Sequence, residues 1–216
     1  MVDTSDYGRQ LPFRIYLPPC YQDGVRGWPA LYLLHGVNGD DQSWLSLGLA
    51  ASADRLMASG AVPGFLIVFP WHRNGLDFEP AVLNGLLPYV EEKYGALPGP
   101  TWRAVGGLSR GGRWAFRLTF RYPDVFSAVG LHSPGLRTSD LNALPVWLEQ
   151  PRWSRPPRVW IDIGDDDSLL PSVVELVETF DQVRVVYEYE LGSGAHEAAY
   201  WEGQIDVYLG WYGQRW

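Results

Sequence analysis

The residues best suited to chemistry in this chain form the run Gly-Leu-Ser-Arg-Gly at 107–111, which matches the pattern Gly-x-Ser-x-Gly. The residues at 102–106 are mostly apolar, as in a buried strand, and residues 112–122 have a helical pattern that ends at Pro123. A sharp turn between a strand and a helix pushes a serine hydroxyl out of the backbone, and flanking glycines permit close helix–strand contact. We therefore predict that Ser109 is a nucleophile. The alternative is an ordinary serine in a glycine-rich turn.

A serine hydroxyl is a poor nucleophile at neutral pH and needs a base, usually a histidine. The run at 107–111 resembles the nucleophile elbow of α/β-hydrolases, in which an acid and then the histidine follow the serine along the chain. Two histidines follow Ser109: His132 ends a predicted strand, and His196 lies in a glycine-rich loop before the last predicted helix. The loop position favours His196 as the base. We expect His132 to be a pocket-wall or structural residue.

Candidates for the acid that orients this base lie in one loop, within residues 161–169. Asp162 belongs to the predicted strand, and the alternation of side chains along a strand makes it a poor candidate. Asp165 and Asp167 follow the strand, and aspartates of this loop that do not face the histidine could cap the next helix. The residue pattern alone does not choose between Asp165 and Asp167.

Two backbone N–H groups are needed to stabilise the negative charge that develops on a carbonyl oxygen during serine attack. One should belong to Arg110, the residue after the nucleophile, and the other to a loop after an earlier strand. The sequence at 33–39, Leu-Leu-His-Gly-Val-Asn-Gly, fits that loop. Gly36 permits close backbone approach, so we predict the N–H of Val37 as the second donor and a structural role for His35.

Strands and helices alternate along the whole sequence. Continuous apolar strands between amphipathic helices predict an α/β fold with a mostly parallel central sheet and helices on both faces. We expect one domain over residues 1–216. The predicted strands are 13–17, 30–34, 65–69, 102–106, 126–131, 158–163 and 183–189, and the predicted helices are 45–59, 82–94, 112–122, 170–180 and 198–212.

One stretch, residues 134–157, breaks this alternation because it carries many prolines and no clean period. It lies between two predicted strands, where α/β proteins insert a cap or lid, but it is too short for a large cap domain. We expect a minimal lid, a small loop with one helical turn around 144–149, and a fairly open site.

Aromatic side chains are abundant in the predicted loops at the carboxyl edge of the sheet. They could form a wall against a substrate, or they could fill core and interface space. His72 and Arg73, which follow a predicted strand, could line the acid or leaving-group side of the site, but we expect them to be solvated loop residues. The candidates for the substrate pocket are Trp44, Trp71, His132, Trp147 and Trp201, and Trp153 lies in the same stretch as Trp147.

The bulk properties exclude several partners. A net charge of −8 and a pI near 4.9 argue against nucleic acid or an anionic membrane, because phosphate binding requires a basic surface. The single cysteine, Cys20, cannot form an intrachain disulfide, the first ten residues are polar, and no apolar run reaches the length of a membrane span. We expect a cytoplasmic protein, although a secreted protein whose signal peptide had been removed would show the same sequence.

Several motifs together resemble the putative-esterase family of α/β-hydrolases, which includes esterase D (S-formylglutathione hydrolase), feruloyl esterases, enterochelin esterases and mycolyltransferases. Their order along the chain matches the family, and the family's Gly-x-x-Asp-x-Leu motif places the acid on Asp167. The matching segments are Tyr-Leu-Pro-Pro-Cys-Tyr at 16–21, the loop at 33–40 with Trp44, the elbow at 106–112, Tyr-Pro-Asp-Val-Phe at 122–126, 164–169, and Gly-Ala-His at 194–196.

This resemblance implies a serine carboxylesterase that hydrolyses small-molecule esters through Ser109, His196 and Asp167 and an acyl-enzyme intermediate, without a metal or an organic cofactor. Two alternatives keep the triad: a thioesterase similar to S-formylglutathione hydrolases, or an acyltransferase. A third is a binding protein with this fold but without turnover. The sequence does not predict the oligomeric state.

Overall fold

A seven-stranded sheet forms the centre of the computed structural model, which describes residues 2–149, 155–214 and 216. The strand order is β1-β3-β2-β4-β5-β6-β7, and β1 is antiparallel to β3 while the other neighbours are parallel. The predicted α/β class with a mostly parallel sheet is therefore confirmed. The strands are β1 (Phe13–Tyr16), β2 (Ala30–Leu34), β3 (Leu66–Pro70), β4 (Arg103–Leu108), β5 (Ala128–His132), β6 (Arg158–Gly164) and β7 (Glu188–Gly192).

Helices connect most of these strands. A π-helical segment, Ala81–Leu86, joins α3 to α4, and short 3₁₀ turns cover Ser5–Tyr7 and Pro100–Trp102. Within the described part of the chain, no helix combines the length and the apolarity that crossing a membrane would require. The helices are α1 (Ser43–Ser46), α2 (Leu49–Ala58), α3 (Phe78–Pro80), α4 (Leu87–Tyr94), α5 (Arg110–Phe120), α6 (Thr138–Leu148), α7 (Leu170–Val183) and α8 (Ala198–Gly213).

The two faces of the sheet carry separate apolar cores, because successive side chains of a strand point to opposite faces. In β2, Tyr32 and Leu34 belong to one core and Leu31 and Leu33 to the other. The first core packs against α4, α5, α6 and α7, and we call this the α5 face. The second packs against α1, α2 and α8, and we call it the α8 face.

A buried polar network lies within the α8 face. The carboxylate of Asp162 on β6 accepts hydrogen bonds from Tyr200 (3.1 Å) and Tyr208 (2.7 Å) of α8 and contacts Nδ1 of His132 on β5. Nε2 of the same histidine lies 3.1 Å from the hydroxyl of Tyr212. A buried carboxylate is tolerated when its oxygens are paired. The network therefore fixes α8 in one position on β5 and β6.

The predicted single turn at 144–149 is wrong, because α6 is a helix of 11 residues, Thr138–Leu148. Its buried Leu141 and Leu144 pack into the core of the α5 face. Its buried Asp140 forms ion pairs with Arg113 and Arg117 of α5. Helix α6, which belongs to the stretch predicted as a lid, is therefore held against α5.

Two of the differences between predicted and observed element boundaries have a common cause. The predicted helix 45–59 is divided into α1 and α2 at Gly48, whose φ of 81° lies in the left-handed region. The predicted strand 183–189 begins later, at Glu188, because α7 continues to Val183 and ends at Arg184 with φ 61°. In both places a left-handed residue, which the apolar pattern does not reveal, ends the helix.

Gly106→Ala should lower the free energy of unfolding by about 1–3 kcal/mol, the usual cost of overpacking a core. A Cβ at this position of β4 would lie 1.8 Å from the buried hydroxyl of Tyr212 on α8. Gly203→Ala in α8 is the control, because its Cβ would meet open space and a helical glycine replaced by alanine typically stabilises by about 0.5–1 kcal/mol. Urea unfolding measures both. Equal midpoints for Gly106→Ala and the parent would contradict the packing of Tyr212.

Candidate active site

Ser109 occupies a strained turn between β4 and α5. Its φ of 55° and ψ of −119° are unusual for a residue with a side chain, at a cost of about 1–3 kcal/mol. Its N–H donates to the carbonyl of His132 (3.0 Å), and its carbonyl accepts from the N–H of Gly135 (2.9 Å). These bonds from two neighbouring segments hold the backbone in a conformation that projects Oγ from the carboxyl edge of the sheet.

The glycines of the motif permit this turn by removing side chains from tight contacts. A Cβ on Gly107 would lie 2.3 Å from the carbonyl carbon of Gly111, and a Cβ on Gly111 would lie 2.1 Å from the carbonyl oxygen of Leu34. The first turn of α5 therefore packs directly on the backbone of β4 and β2. The Gly-x-Ser-x-Gly pattern is a steric requirement of this packing.

Three polar side chains meet at this edge in a linear arrangement. Nε2 of His196 lies 3.0 Å from Oγ of Ser109, and Nδ1 of His196 lies 2.8 Å from Oδ2 of Asp167. The other oxygen of the Asp167 carboxylate accepts the N–H of Leu169 (2.8 Å), and this aspartate is buried. The side chain of His196 is 27% exposed. The histidine is thus placed to take a proton from the serine and to be oriented by the aspartate.

Of the two aspartates between which the residue pattern did not choose, Asp167 is the one that contacts His196. Asp165 points elsewhere: its Oδ1 accepts the N–H of Gly194 at 3.0 Å. The N–H of Asp166 donates to the carbonyl of Gly194 at 2.9 Å. Both residues therefore tie the loop that carries His196 to the loop that carries Asp167.

The loop after β2 lies beside the nucleophile. A Cβ on Gly36 would be 3.5 Å from Cβ of Ser109. Val37, the next residue, is 60% exposed. Arg110 is the first residue of α5, so its N–H is one of the amides that the helix itself cannot satisfy. The two predicted oxyanion donors therefore belong to segments that flank Ser109.

His35 fixes the position of this loop. Its Nε2 accepts the main-chain N–H of His72 at 3.1 Å, so the ring proton must be on Nδ1, which donates to the carbonyl of Gly36 at 2.8 Å. Burial lowers the pKa of His35 below its usual range, which favours this neutral tautomer. The arrangement agrees with the structural role predicted for His35.

The expectation that His72 is a solvated loop residue is wrong. Its ring packs against Phe78 and Trp114, with ring centroids 4.9 and 5.0 Å away. Burial, together with the nearby Arg110 and His35, lowers the pKa of His72 to about 4. The first residue of α3 and helix α5 supply these two rings, and no local sequence signal indicates that contact.

Three of the predicted pocket residues pack against other elements of the fold instead. Trp44 is fully buried and donates to a main-chain carbonyl of β2 at 3.1 Å, and His132 belongs to the buried network of the α8 face. Trp147, on α6, packs against Phe116 and Arg117 of α5. The rings of Trp44 and His132 are buried between layers, and the partly buried Trp147 covers α5.

The other two candidates remain at the carboxyl edge. The ring of Trp201 meets the ring of His196 edge to face, with centroids 5.0 Å apart, and its Nε1 lies 3.3 Å from Oγ of Ser133. Trp71 directly follows β3, is partly exposed, and has the guanidinium of Arg73 above its ring. Trp201 therefore supports the histidine, and Trp71 stays a candidate for substrate contact. Trp153 lies outside the described residues.

Nothing in the described ranges groups three or more His, Cys, Asp or Glu side chains closely enough to hold a metal ion. Two features of the site have no signal in the sequence. One is the pairing of His132 with Asp162, which alternation along two separate strands could not reveal. The other is the side chain of Arg110, which extends toward the loop after β2, where its Nη2 donates to the carbonyl of Gly36.

Known proteins resemble this chain over most of its length. The family model described as putative esterase matches residues 4–212. An endo-1,4-beta-xylanase/feruloyl esterase of Xylanibacter ruminicola is 30% identical over 152 residues, 61% of this chain and 20% of that protein. An esterase of Mycobacterium tuberculosis is 28% identical over 158 residues, 67% of this chain and 34% of that protein. The chain thus spans between a fifth and about a third of the length of these curated relatives.

A solved structure of a ferulic acid esterase matches this fold with a TM-score of 0.84. The match covers 100% of this chain and 98% of that one, at 24% sequence identity. At this level of identity the likeness concerns the fold. The predicted α/β-hydrolase fold is therefore confirmed.

His72→Phe should reduce the loss of stability on acidification. The folded state keeps His72 neutral down to a pH of about 4, whereas the unfolded chain takes up a proton below its ordinary pKa of about 6.5. The stability linked to this shift is therefore present above pH 6.5 and is lost as the pH falls toward 4. Phenylalanine cannot titrate, and Nδ1 of His72 is buried without a hydrogen-bond partner among the described residues.

Urea unfolding of both proteins at pH 7 and at pH 4.5 measures this difference. The parent should lose more stability between the two pH values than His72→Phe. An equal loss in the two proteins would contradict the enclosure of a neutral His72.

Proposed function

Because the chain belongs to the putative esterase family, we propose that it is a serine carboxylesterase that acts on small-molecule esters. The observation that carries this proposal is the alignment of three side chains at hydrogen-bond distance. Ser109 Oγ is 3.0 Å from His196 Nε2, and His196 Nδ1 is 2.8 Å from Asp167 Oδ2. This geometry supports proton transfer from the serine to the histidine.

In the acylation step, Oγ of Ser109 forms a bond to the ester carbonyl carbon, and its proton passes to Nε2 of His196. The carboxylate of Asp167 stabilises the imidazolium through Nδ1–H. The main-chain N–H groups of Val37 and Arg110 donate to the oxyanion of the tetrahedral intermediate. The intermediate then collapses, the bond to the alcohol oxygen breaks, and His196 returns its proton to that oxygen.

In the deacylation step, a water molecule takes the place of the alcohol. His196 removes a proton from the water as its oxygen attacks the acyl carbonyl, and the same two N–H groups stabilise the second oxyanion. Collapse releases the carboxylic acid and returns the proton to Ser109. Each step uses groups that this chain itself supplies.

The exposed fraction of His196 and of Val37 supports a site that is open to substrate and water. One relative is named a feruloyl esterase, which makes an aromatic acyl group a rational member of any substrate series. The organisation as one domain over residues 1–216 stays a prediction. So does the cytoplasmic location, with which the single cysteine, Cys20, is compatible because it precludes an intrachain disulfide.

Ser109→Ala should abolish the hydrolysis of p-nitrophenyl esters, tested from acetate to long acyl chains and ferulate, while leaving thermal unfolding close to the parent. The change removes the nucleophile and leaves the surrounding backbone in place. Ser59→Ala, which alters an exposed serine at the end of α2, is the control and should retain full activity. Equal turnover by Ser109→Ala and the parent would refute the assignment of the nucleophile, and a parent without turnover on any ester would refute the esterase activity.

Asp167→Asn should lower kcat by about 10⁴-fold, the cost expected when the histidine loses its orienting carboxylate. Asp165→Asn is the matched control: it removes a charge from the same loop, but the asparagine oxygen can still accept the N–H of Gly194. Steady-state kinetics on the best ester of the series measures both. A larger loss in Asp165→Asn would transfer the orienting role to Asp165.

A further inference from the structure

The carbonyl oxygen of Gly36 receives an unusual number of hydrogen bonds. Nδ1 of His35 donates to it at 2.8 Å, Nη2 of Arg110 at 3.2 Å, and the N–H of Gly39 at 3.4 Å. The last bond closes a turn in which Asn38 has a φ of 62°. A carbonyl has two lone pairs, so three donors restrict the direction of this one from several sides.

This restriction also affects the next N–H group along the chain, that of Val37. The peptide bond between Gly36 and Val37 is trans, and in a planar trans peptide the C=O and the N–H point in opposite directions. Holding the Gly36 oxygen therefore sets the direction of the Val37 N–H. That N–H belongs to the peptide that passes beside Ser109, since a Cβ on Gly36 would lie 3.5 Å from Cβ of Ser109.

The guanidinium of Arg110 is unusual among the arginines of α5. Arg113 and Arg117 form ion pairs with Asp140, whereas no ion pair among the described residues includes Arg110. It is half-buried, burial lowers its pKa, and its Nε is buried without a partner in the described part of the chain. Burying a cation without full pairing reduces the stability of the fold. Among the described residues, the side chain of Arg110 forms one hydrogen bond, to the carbonyl oxygen of Gly36.

We propose that the side chain of Arg110, together with His35, is a positioning group that aims the N–H of Val37 at the oxyanion. Arg110 then serves both halves of the oxyanion hole, one through its own main-chain N–H and the other through its side chain. This inference rests on the proposed function, because the hole has a role only if a carbonyl is attacked by Ser109.

Arg110→Met should lower kcat by about 10- to 100-fold, because a misdirected donor loses part of the roughly 10²- to 10³-fold effect of a complete one. KM should change little, since the stabilisation arises in the transition state rather than in substrate binding. Arg110→Lys should recover part of the loss, because an ammonium keeps the charge and one donor. Steady-state kinetics on p-nitrophenyl acetate and thermal unfolding are measured for each variant.

A trifluoromethyl ketone, which forms an oxyanion adduct with an active-site serine, provides a second measurement. Its affinity for Arg110→Met should fall by the same factor as kcat/KM, which a general loss of packing would not produce. Arg26→Met is the control, because Arg26 also donates to a main-chain carbonyl, that of Glu92, but lies outside the site. It should leave kcat and inhibitor affinity unchanged.

The outcomes separate this inference from the proposed function. An active parent with Arg110→Met within about twofold of its kcat, or with a loss that lies entirely in KM, would overturn the role of Arg110 alone. If Arg110→Met is thermally unstable, Arg110→Lys decides: parent-like thermal stability with reduced kcat and inhibitor affinity supports the role, and full kcat overturns it. A parent that hydrolyses no ester would overturn the proposed function and this inference with it.

Discussion

A single residue separates the end of β4 from the start of α5, so the backbone must reverse its course within Ser109. The result is a positive φ of 55°, which is possible only because Gly107 and Gly111 let the helix touch the strands beneath it. This contact projects Oγ of Ser109 from the sheet and leaves the N–H of Arg110 without a helical partner. The same turn brings α5 against the loop after β2, so both sides of the oxyanion hole depend on it.

The contact between Asp167 and His196 follows from the pairing of β6 with β7. These strands are parallel, and their register places Gly164 opposite Gly192. Their loops leave the sheet side by side, Asp167 three residues after one glycine and His196 four residues after the other. Hydrogen bonds from Asp165 and Asp166 continue the contact past the ends of the strands. The distance between Asp167 and His196 is thus set by a sheet register, which is more rigid than either loop alone.

The buried network of the α8 face also supports the loop that carries His196. The hydroxyl of Tyr200 donates to Asp162, and its ring packs against the positions of Gly192 and Gly194. Burial, followed by the charge of Asp162, raises the pKa of Tyr200 and of Tyr208, so both remain protonated donors. A buried carboxylate with these partners fixes where α8 begins, and α8 begins two residues after His196.

Much of the site could be predicted from the sequence because its signals are local. Short continuous apolar runs indicate buried strands, and the glycine pattern around Ser109 indicates a steric requirement of the turn. The order of Ser109, the aspartate loop and His196 follows the order of the strands. These properties depend on neighbouring residues or on succession along the chain, both of which are visible in one dimension.

Only the tertiary structure decided what depends on contacts between distant segments. The residue pattern left Asp165 and Asp167 open until the family motif favoured Asp167, and in the structure the β6–β7 register places Asp167 beside His196. The sequence reading assigned Trp44 and Trp147 to a pocket, whereas the structure buries Trp44 in the core of the α8 face and packs the partly buried Trp147 on α5. The bond from Arg110 to Gly36 joins residues far apart in the chain. Such contacts depend on the register and separation of whole elements, and no local pattern of residues determines either.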